Sequence, residues 1–568
     1  MRLSFINRSS IIIIFITAAF AGCKKIDLTP RDRYTDDEFW KISANANVAL
    51  DNCYNQQISG GYPNSSSASQ AYFYNEALSD NAYCPLDVNV GTPTEISSGN
   101  DANFNPGINR VKYEWGSYYA NIRSCNLFLE NIDRNSSLGA PLITRMKAEA
   151  RYLRAQALFR LTNFYGDVPL VTHVLSIDES KSIKRTPKAD VVTFILNELD
   201  SCAAILPTRD AQAANDRGRI TKGAALAMKA RVLLYNSRWA ECSAVCEDLM
   251  NNQGTNGTYA LVPKFPDIFA ANNKYNSEVI ADLEYEAPDR VWTDWGDFGP
   301  FYTGPNATAS TNSNLVPTQD LVESYLTLDG KAITDPGSGY DENNQYVNRD
   351  PRLGYTVVYN GYQWLNNLGG TQTIYIKPGT TPSGGITKNE YNNSTGNFTS
   401  SGYFWRKYYD PTAVGGTFQF GENIIITRWA EVLLMEAEAK TELGQMTAAV
   451  WDATIKPLRV RAGFTNPLAL NYPGNTSMSM LDQVRNERRS ELAFESLRYD
   501  DIKRWKIAQT VLNHPVGNEV RGAKFAANST AYIKLVVRLF NPAKHYLWPV
   551  PTESLQTDPS LLPQNPGW

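Results

Sequence analysis

Three acidic residues recur at four-residue steps, Glu487, Glu491 and Glu495, with Arg488 and Arg498 set among them. Carboxylates stacked on one helix face can in principle exchange protons with a substrate. The spacing favours another use. Arg488–Glu491 and Glu495–Arg498 stand three apart, which brings opposite charges together on a helix. The expectation is an Arg–Glu network that ties this helix to its neighbours. Glu149, Arg151 and Arg154 read in the same way, and Asp350, followed by Pro351, reads as a turn residue. Glycosidic hydrolysis needs two carboxylates at a set separation, and no local pair stands out. The sequence holds no GxxxxGK[ST], HExxH or GxSxG motif. No catalytic residue, metal or cofactor is assigned, and no enzyme activity is expected.

Recognition makes better use of the residue types present. Tyrosine is abundant, 31 residues against 22 Phe and 12 Trp. Tyr and Trp join an apolar ring to a polar tip, which suits the packing of a large fold and also suits ligands with apolar faces and hydroxyl edges, such as sugars. Two clusters mix rings with amide and carboxylate groups: Trp292-Thr293-Asp294-Trp295 with Tyr302, and Tyr362-Gln363-Trp364 with Asn366 and Asn367. A sugar site needs that mixture of a flat platform and a few oriented polar partners. Trp292, Trp295, Tyr302 and Trp364 are therefore candidate ligand-binding residues. Trp115, Trp239, Trp429, Trp451 and Trp505 fall in helical patterns and read as core.

Histidine and cysteine offer little. His173, His514 and His545 are scant material for a metal site or a triad. Cys242 and Cys246 stand four apart in a helical stretch, with no further Cys or His nearby to complete a zinc set. They and Cys53, Cys84, Cys125 and Cys202 are expected to be buried thiols. Cys23 is different. Arg2 and Arg8 precede an apolar run, Ile11 to Ala21, that ends on Phe20-Ala21-Gly22-Cys23. A cationic start, an apolar stretch too short for a bilayer and small residues before the cut describe a secretory signal. A cysteine directly after Ala-Gly is the bacterial lipobox pattern. Residues 1–22 are expected to be removed, Cys23 to be lipidated, and 23–31 to act as a tether. Losing Arg2 and Arg8 takes the net charge from −4 to −6. That mild, mixed charge gives no nucleic-acid footprint.

The elements that position these residues are mainly helical. Met146, Ala150, Leu153, Ala157, Leu161 and Phe164 form one apolar face, stopped by Gly166 and Pro169. Further helices are predicted over 115–129, 190–206 and 221–235. A second block starts near Asn423, with Ile426, Trp429, Leu433 and Ala437 on one face and Gly444 at its end; 447–461 and 481–494 follow. Short links between helices suggest antiparallel hairpins of tetratricopeptide-like size, although the 34-residue repeat signature is not legible. Residues 285–420 are rich in Gly, Asn, Ser and Thr. There a short helix is expected from Thr318, with brief strands at 355–359 and 373–376. A long irregular segment within a domain is usually functional.

Several motifs then fall in order. Ala148-Glu149-Ala150-Arg151-Tyr152-Leu153-Arg154-Ala155 and Phe164-Tyr165-Gly166-Asp167-Val168-Pro169-Leu170 are followed by Arg349-Asp350-Pro351-Arg352 and Arg428-Trp429-Ala430-Glu431-Val432-Leu433. Glu487-Arg488-Arg489-Ser490-Glu491-Leu492-Ala493-Phe494-Glu495, Asp501-Ile502-Lys503-Arg504-Trp505, Trp548-Pro549-Val550-Pro551 and Asn565-Pro566-Gly567-Trp568 come after. In this order they resemble the SusD/RagB family over nearly the whole mature chain. The resemblance implies a mainly α scaffold of tetratricopeptide-like pairs carrying a loop-rich binding region and a few short strands. It divides the chain into 32–284 and 285–568, the latter irregular over 285–420, helical over 421–512 and extended over 513–568, all packed as one unit. It implies an outer-membrane lipoprotein facing the exterior, a SusC-like TonB-dependent transporter as partner, and an oligosaccharide bound without cleavage. Peptide or protein capture is the alternative, and a glycoside hydrolase a more distant one. By position within the family Asp80, Asn81 and Tyr83 join the candidate ligand residues, and Trp405, beside Lys407-Tyr408, becomes a scaffold residue.

Overall fold

The structure, a computed structural model, describes residues 34–56, 72–84, 109–286, 315–365, 370–391, 399–409 and 419–568, save isolated positions within them, together with the strand Trp292–Thr293. Cys23, the tether to residue 31, Trp295, Tyr302, Asn366 and Asn367 lie outside the described residues.

The main helices are α1 (Asp36–Lys41), α2 (Ser43–Asn55), α3 (Asn109–Asn131), α4 (Ala140–Tyr165), α5 (Lys188–Ile205), α6 (Lys222–Tyr235), α7 (Trp239–Asn251), α8 (Gln319–Ser324), α9 (Arg352–Thr356), α10 (Trp429–Glu442), α11 (Ala448–Ala462), α12 (Met480–Leu492) and α13 (Arg498–Arg504). Their ends follow local chemistry. Pro141 opens α4, and Gly166, at φ 76°, closes it in a conformation that a side chain would strain. The hydroxyls of Thr221, Thr318, Thr447 and Ser479 accept backbone N–H groups and cap α6, α8, α11 and α12. Successive helices pack side by side: α3 on α4, α4 on α5, α5 on α6, α6 on α7, α7 on α10, and α10 on both α11 and α12. Helix α10 is buried from Trp429 through Ala439; its buried acids Glu431 and Glu438 are paired with Arg231 and Arg504 from neighbouring helices. One apolar core runs from Trp40 to Leu561. The mainly α scaffold with few short strands is thus present.

The strands come in antiparallel pairs: β1 (Ala82–Tyr83) with β4 (Val316–Pro317), β2 (Val279–Leu283) with β10 (Ile424–Arg428), β3 (Trp292–Thr293) with β9 (Gln419–Phe420), β5 (Val357–Val358) with β8 (Phe404–Trp405), and β6 (Tyr362–Leu365) with β7 (Thr371–Ile374). Three expectations are corrected here. The helix expected near Asn423 begins at Trp429, because Ile424-Ile425-Ile426-Thr427, a β-branched run, is the strand β10. The strand expected at 355–359 is the end of α9 followed by the short β5; Asp350 accepts from the Arg352 N–H and starts a helical turn there. Helix α12 stops at Leu492, and Phe494 (φ 62°) and Ser496 (φ 65°) take left-handed backbone, so Glu495 lies beyond the helix.

Candidate functional site

The carboxylates that could have done chemistry are sealed in a joint between α9, α10, α12 and the β2–β10 pair. Glu491 accepts from Arg428 at 2.6 Å, from Arg352 at 3.0 Å and from Arg461. Arg352 also reaches Asp350 and Glu487, each at 2.7 Å, and Arg428 reaches Glu278 at 2.6 Å and Glu495 at 2.8 Å. Lys407 donates to Glu495 and to the carbonyls of Glu491 and Ala493. Burial works against the charged form of Glu491, but Arg461, Arg428 and Arg352 hold its carboxyl well below the usual range. With Glu491 0% and Arg428 1% exposed, no substrate reaches this network. The expected network exists, but its pairs differ from the expected i,i+3 ones. Arg488 turns to Asp501 (2.8 Å) and Glu431 (3.4 Å), and Arg498 turns to Asp80 (2.8 Å).

Asp80 and Asn81 are also enclosed. Asp80 pairs with Arg498 and with Arg489 at 2.9 Å. Burial opposes its ionisation, but those two guanidinium groups win and keep the carboxyl well below its ordinary value. Asn81 donates to Glu76 at 2.6 Å and accepts from Arg489 at 2.7 Å. Both side chains serve as struts under β1, and of this segment Tyr83 keeps surface. The Thr318 hydroxyl donates to the Asp80 carbonyl at 2.6 Å, which fixes α8 against it. A hollow of about 430 Å³ opens alongside, walled by Asp80, Asp320, Glu323, Arg489 and His514.

Trp364 is 1% exposed and serves as a floor rather than an open platform. Its ring packs on Tyr409 at 4.4 Å, with the Arg406 guanidinium 5.6 Å from its centroid. Above it stands a ladder that the sequence reading missed in part. Tyr362 lies 6.4 Å from Trp364, Tyr359 lies 5.3 Å from Tyr362, and Tyr346 stacks on Tyr359 at 4.0 Å. Tyr346, Tyr359 and Tyr362 are half-buried, so each keeps ring surface. Beside them Tyr355, 36% exposed, stacks on Phe265. The run Tyr355, Tyr359, Tyr362 was the available signal; Tyr346 is too distant in sequence to carry one. The Tyr346 and Tyr403 hydroxyls are 3.4 Å apart, and Tyr403 donates to Gln319 at 2.6 Å. Gln319 follows Thr318, so the Asp80 segment and Trp364 are two ends of one polar and aromatic chain. Trp292 lies in β3, its backbone in register with Phe420 of β9.

The six described cysteines are buried free thiols. The Cys242 thiol and burial together push Cys246 well above its ordinary value. Among the described residues no helix is long and apolar enough to cross a membrane.

A model of the SusD family matches residues 277–568, and a second, described as starch-binding associating with outer membrane, matches residues 6–234. SusD-like protein P25 of Formosa agariphila is 24% identical over 494 residues, 84% of this chain and 82% of that one. The crystal structure of a SusD-like carbohydrate binding protein from Bacteroides fragilis superposes with a TM-score of 0.76 at 29% identity, covering 92% of this chain and 100% of that one. Another SusD-like protein from Bacteroides fragilis gives 0.74 at 26% identity, over 94% and 99% of the two chains. The match over residues 277–568 takes in the charged joint, the tyrosine ladder and the tail, and on it this chain belongs to the SusD family.

Proposed function

We propose that this chain captures an oligosaccharide on its loop-rich face and passes it, uncleaved, to a SusC-like TonB-dependent transporter in the outer membrane. A lipid on Cys23 keeps it at the outer surface; several acyl chains make such an anchor stable where one alone does not. The observation that carries the reading is the ladder Tyr346–Tyr359–Tyr362 over Trp364, linked by hydroxyls to Gln319. Rings with adjacent hydrogen-bonding groups suit a sugar's apolar face and hydroxyl rim. The similarity to a Bacteroides fragilis protein described as carbohydrate binding supports it. Trp292, Trp295, Tyr302 and Tyr83 are kept as proposed ligand-binding residues, with Asp80 and Asn81 as struts beneath Tyr83.

The test is co-purification from detergent-solubilised outer membranes, followed by glycan binding on arrays. The expected result is a barrel transporter in the eluate and retention of an oligosaccharide with no new reducing ends. Tyr359→Ala, Trp292→Ala and Trp295→Ala should each weaken binding, on the order of tenfold for a lost stacking ring. Turnover abolished by a single Asp or Glu substitution, or retention of peptides in place of glycans, would overturn the reading.

A further inference from the structure

A second basic cluster is built differently from the joint. A hollow of about 510 Å³ lies between the C-terminal ends of α4, α6 and α13 and the segment 542–547. Lys188, Lys503, Lys506 and Lys544 line it, with Asn163 and Asn236. Lys503 is 6% exposed, yet among the described residues its ammonium donates one hydrogen bond, to the Asn163 carbonyl at 3.5 Å. Among the described residues, Lys188, Lys503 and Lys506 form no ion pair.

The acids nearby are already engaged. Asp500 takes Arg160 at 2.9 Å and Asn163 at 2.8 Å, Asp501 takes Arg488 and Arg504 at 2.8 Å, and Glu438 takes Arg504. Asp167 accepts the backbone N–H of Lys188. Aromatic rings hold the ammonium groups instead. Lys503 lies 4.9 Å from the Tyr499 centroid and 5.5 Å from that of Phe164, Lys506 is 4.2 Å from Tyr546, and Lys544 is 4.1 Å from Trp568. A ring face attracts a cation without neutralising it, so the charge stays available to a ligand. The buried Tyr235 hydroxyl, on a residue of the same wall, also has no hydrogen-bond partner among the described residues.

We propose that this hollow binds a tetrahedral oxyanion, a phosphate or sulfate monoester, through Lys188, Lys503 and Lys506. An ammonium is a compact point charge, and three of them line one hollow, which fits a compact oxyanion; the flat fork that would suit a carboxylate, on Arg504, is taken up by Glu438. The space far exceeds one ion, so the group arrives on a larger body, either a sugar or a lipid headgroup. Desolvation and the like charges of Lys188, Lys506 and Arg160 push Lys503 down to about 7, with Asp500 opposing, and a bound oxyanion would relieve that repulsion.

The full lipidated protein in neutral detergent is titrated with sodium sulfate and sodium phosphate, against chloride and acetate at equal ionic strength, with thermal melting and calorimetry as readouts. Galactose 6-sulfate and glycerol 3-phosphate distinguish a sugar source from a lipid one. Saturable binding of sulfate or phosphate is expected, with at least one of the two esters binding more tightly than its inorganic ion. Lys188→Gln combined with Lys506→Gln, both at positions with solvent exposure, should weaken binding tenfold or more without lowering the unliganded melt, since the two charges repel Lys503. Lys503→Met should abolish binding. Equal shifts with chloride or acetate, or a Lys188→Gln/Lys506→Gln variant that binds like the parent, would overturn the proposal.

Discussion

The joint and the lysine hollow both bury cations, but they treat them in opposite ways. In the joint Arg352, Arg428 and Arg461 each meet two or more carboxylates, and Lys407 meets one carboxylate and two carbonyls. In the hollow Lys503 meets two rings and one distant carbonyl. Burial alone therefore does not mark a site. Lys407 is pushed down to about 8 despite its partners and Lys503 to about 7 with few, so the two shifts look alike while the surroundings differ. What separates scaffold from candidate site is whether the chain supplies the counter-charge.

The largest test of that contrast is Arg428→Met. It leaves Glu278, Glu491 and Glu495 without the guanidinium they share. Removing one partner from a buried network costs about 3–5 kcal/mol, because the remaining charge stays desolvated. The urea midpoint should fall accordingly, and the yield of folded protein with it. A loss near that of an exposed pair would show that water enters the joint.

The joint also shows what the sequence could and could not convey. Glu487, Glu491 and Glu495 with interleaved arginines announce an ion network, and the structure has one. The pairing was misread because i,i+3 spacing speaks only within a helix, whereas Glu495 lies past the end of α12 and Arg428 comes from a strand end 67 residues earlier. Helices such as α4 were legible because a 3.6-residue period and terminal Gly and Pro are local signals. The ladder was half legible: Tyr362 and Trp364 are neighbours in sequence, while Tyr346 and Tyr403 join them only through chain folding. Trp364 looked like a platform because ring type is visible in a sequence and enclosure is not. The lysine hollow draws on residues from 163 to 566, and no local pattern could have shown it.

A smaller effect, of opposite sign, is expected at Lys503. Its folded value is lowered, so between about pH 7 and its ordinary value the unfolded chain binds more protons, and stability rises with pH across that window. Below pH 7 both states carry the charge and the penalty is fully present. Lys503→Met should therefore be more stable than the parent at pH 6 and approach it by about pH 10. Urea melts at the two pH values check this. Saturating sulfate should narrow the difference at pH 6, since the ligand stabilises only the parent. A variant less stable than the parent at pH 6 would mean that an unrecognised counter-charge already sits in the hollow.

The smallest effect is expected where charge is paired but not buried. Arg238 and Glu241 stand three apart at the start of α7, with side chains 38% and 56% exposed, and their carboxylate and guanidinium groups meet directly. Water screens such a pair, and holding two long side chains in one geometry costs entropy, so the coupling should be about 0.2–0.5 kcal/mol. A double-mutant cycle with Arg238→Ala and Glu241→Ala measures it. Set beside Arg428, the cycle separates the two ingredients of the joint: both places have opposite charges in contact, and only one has lost its water. If the exposed pair coupled as strongly as the buried one, contact alone would account for the joint. The distinction drawn between a sealed scaffold and an uncompensated hollow would then rest on proximity rather than on desolvation.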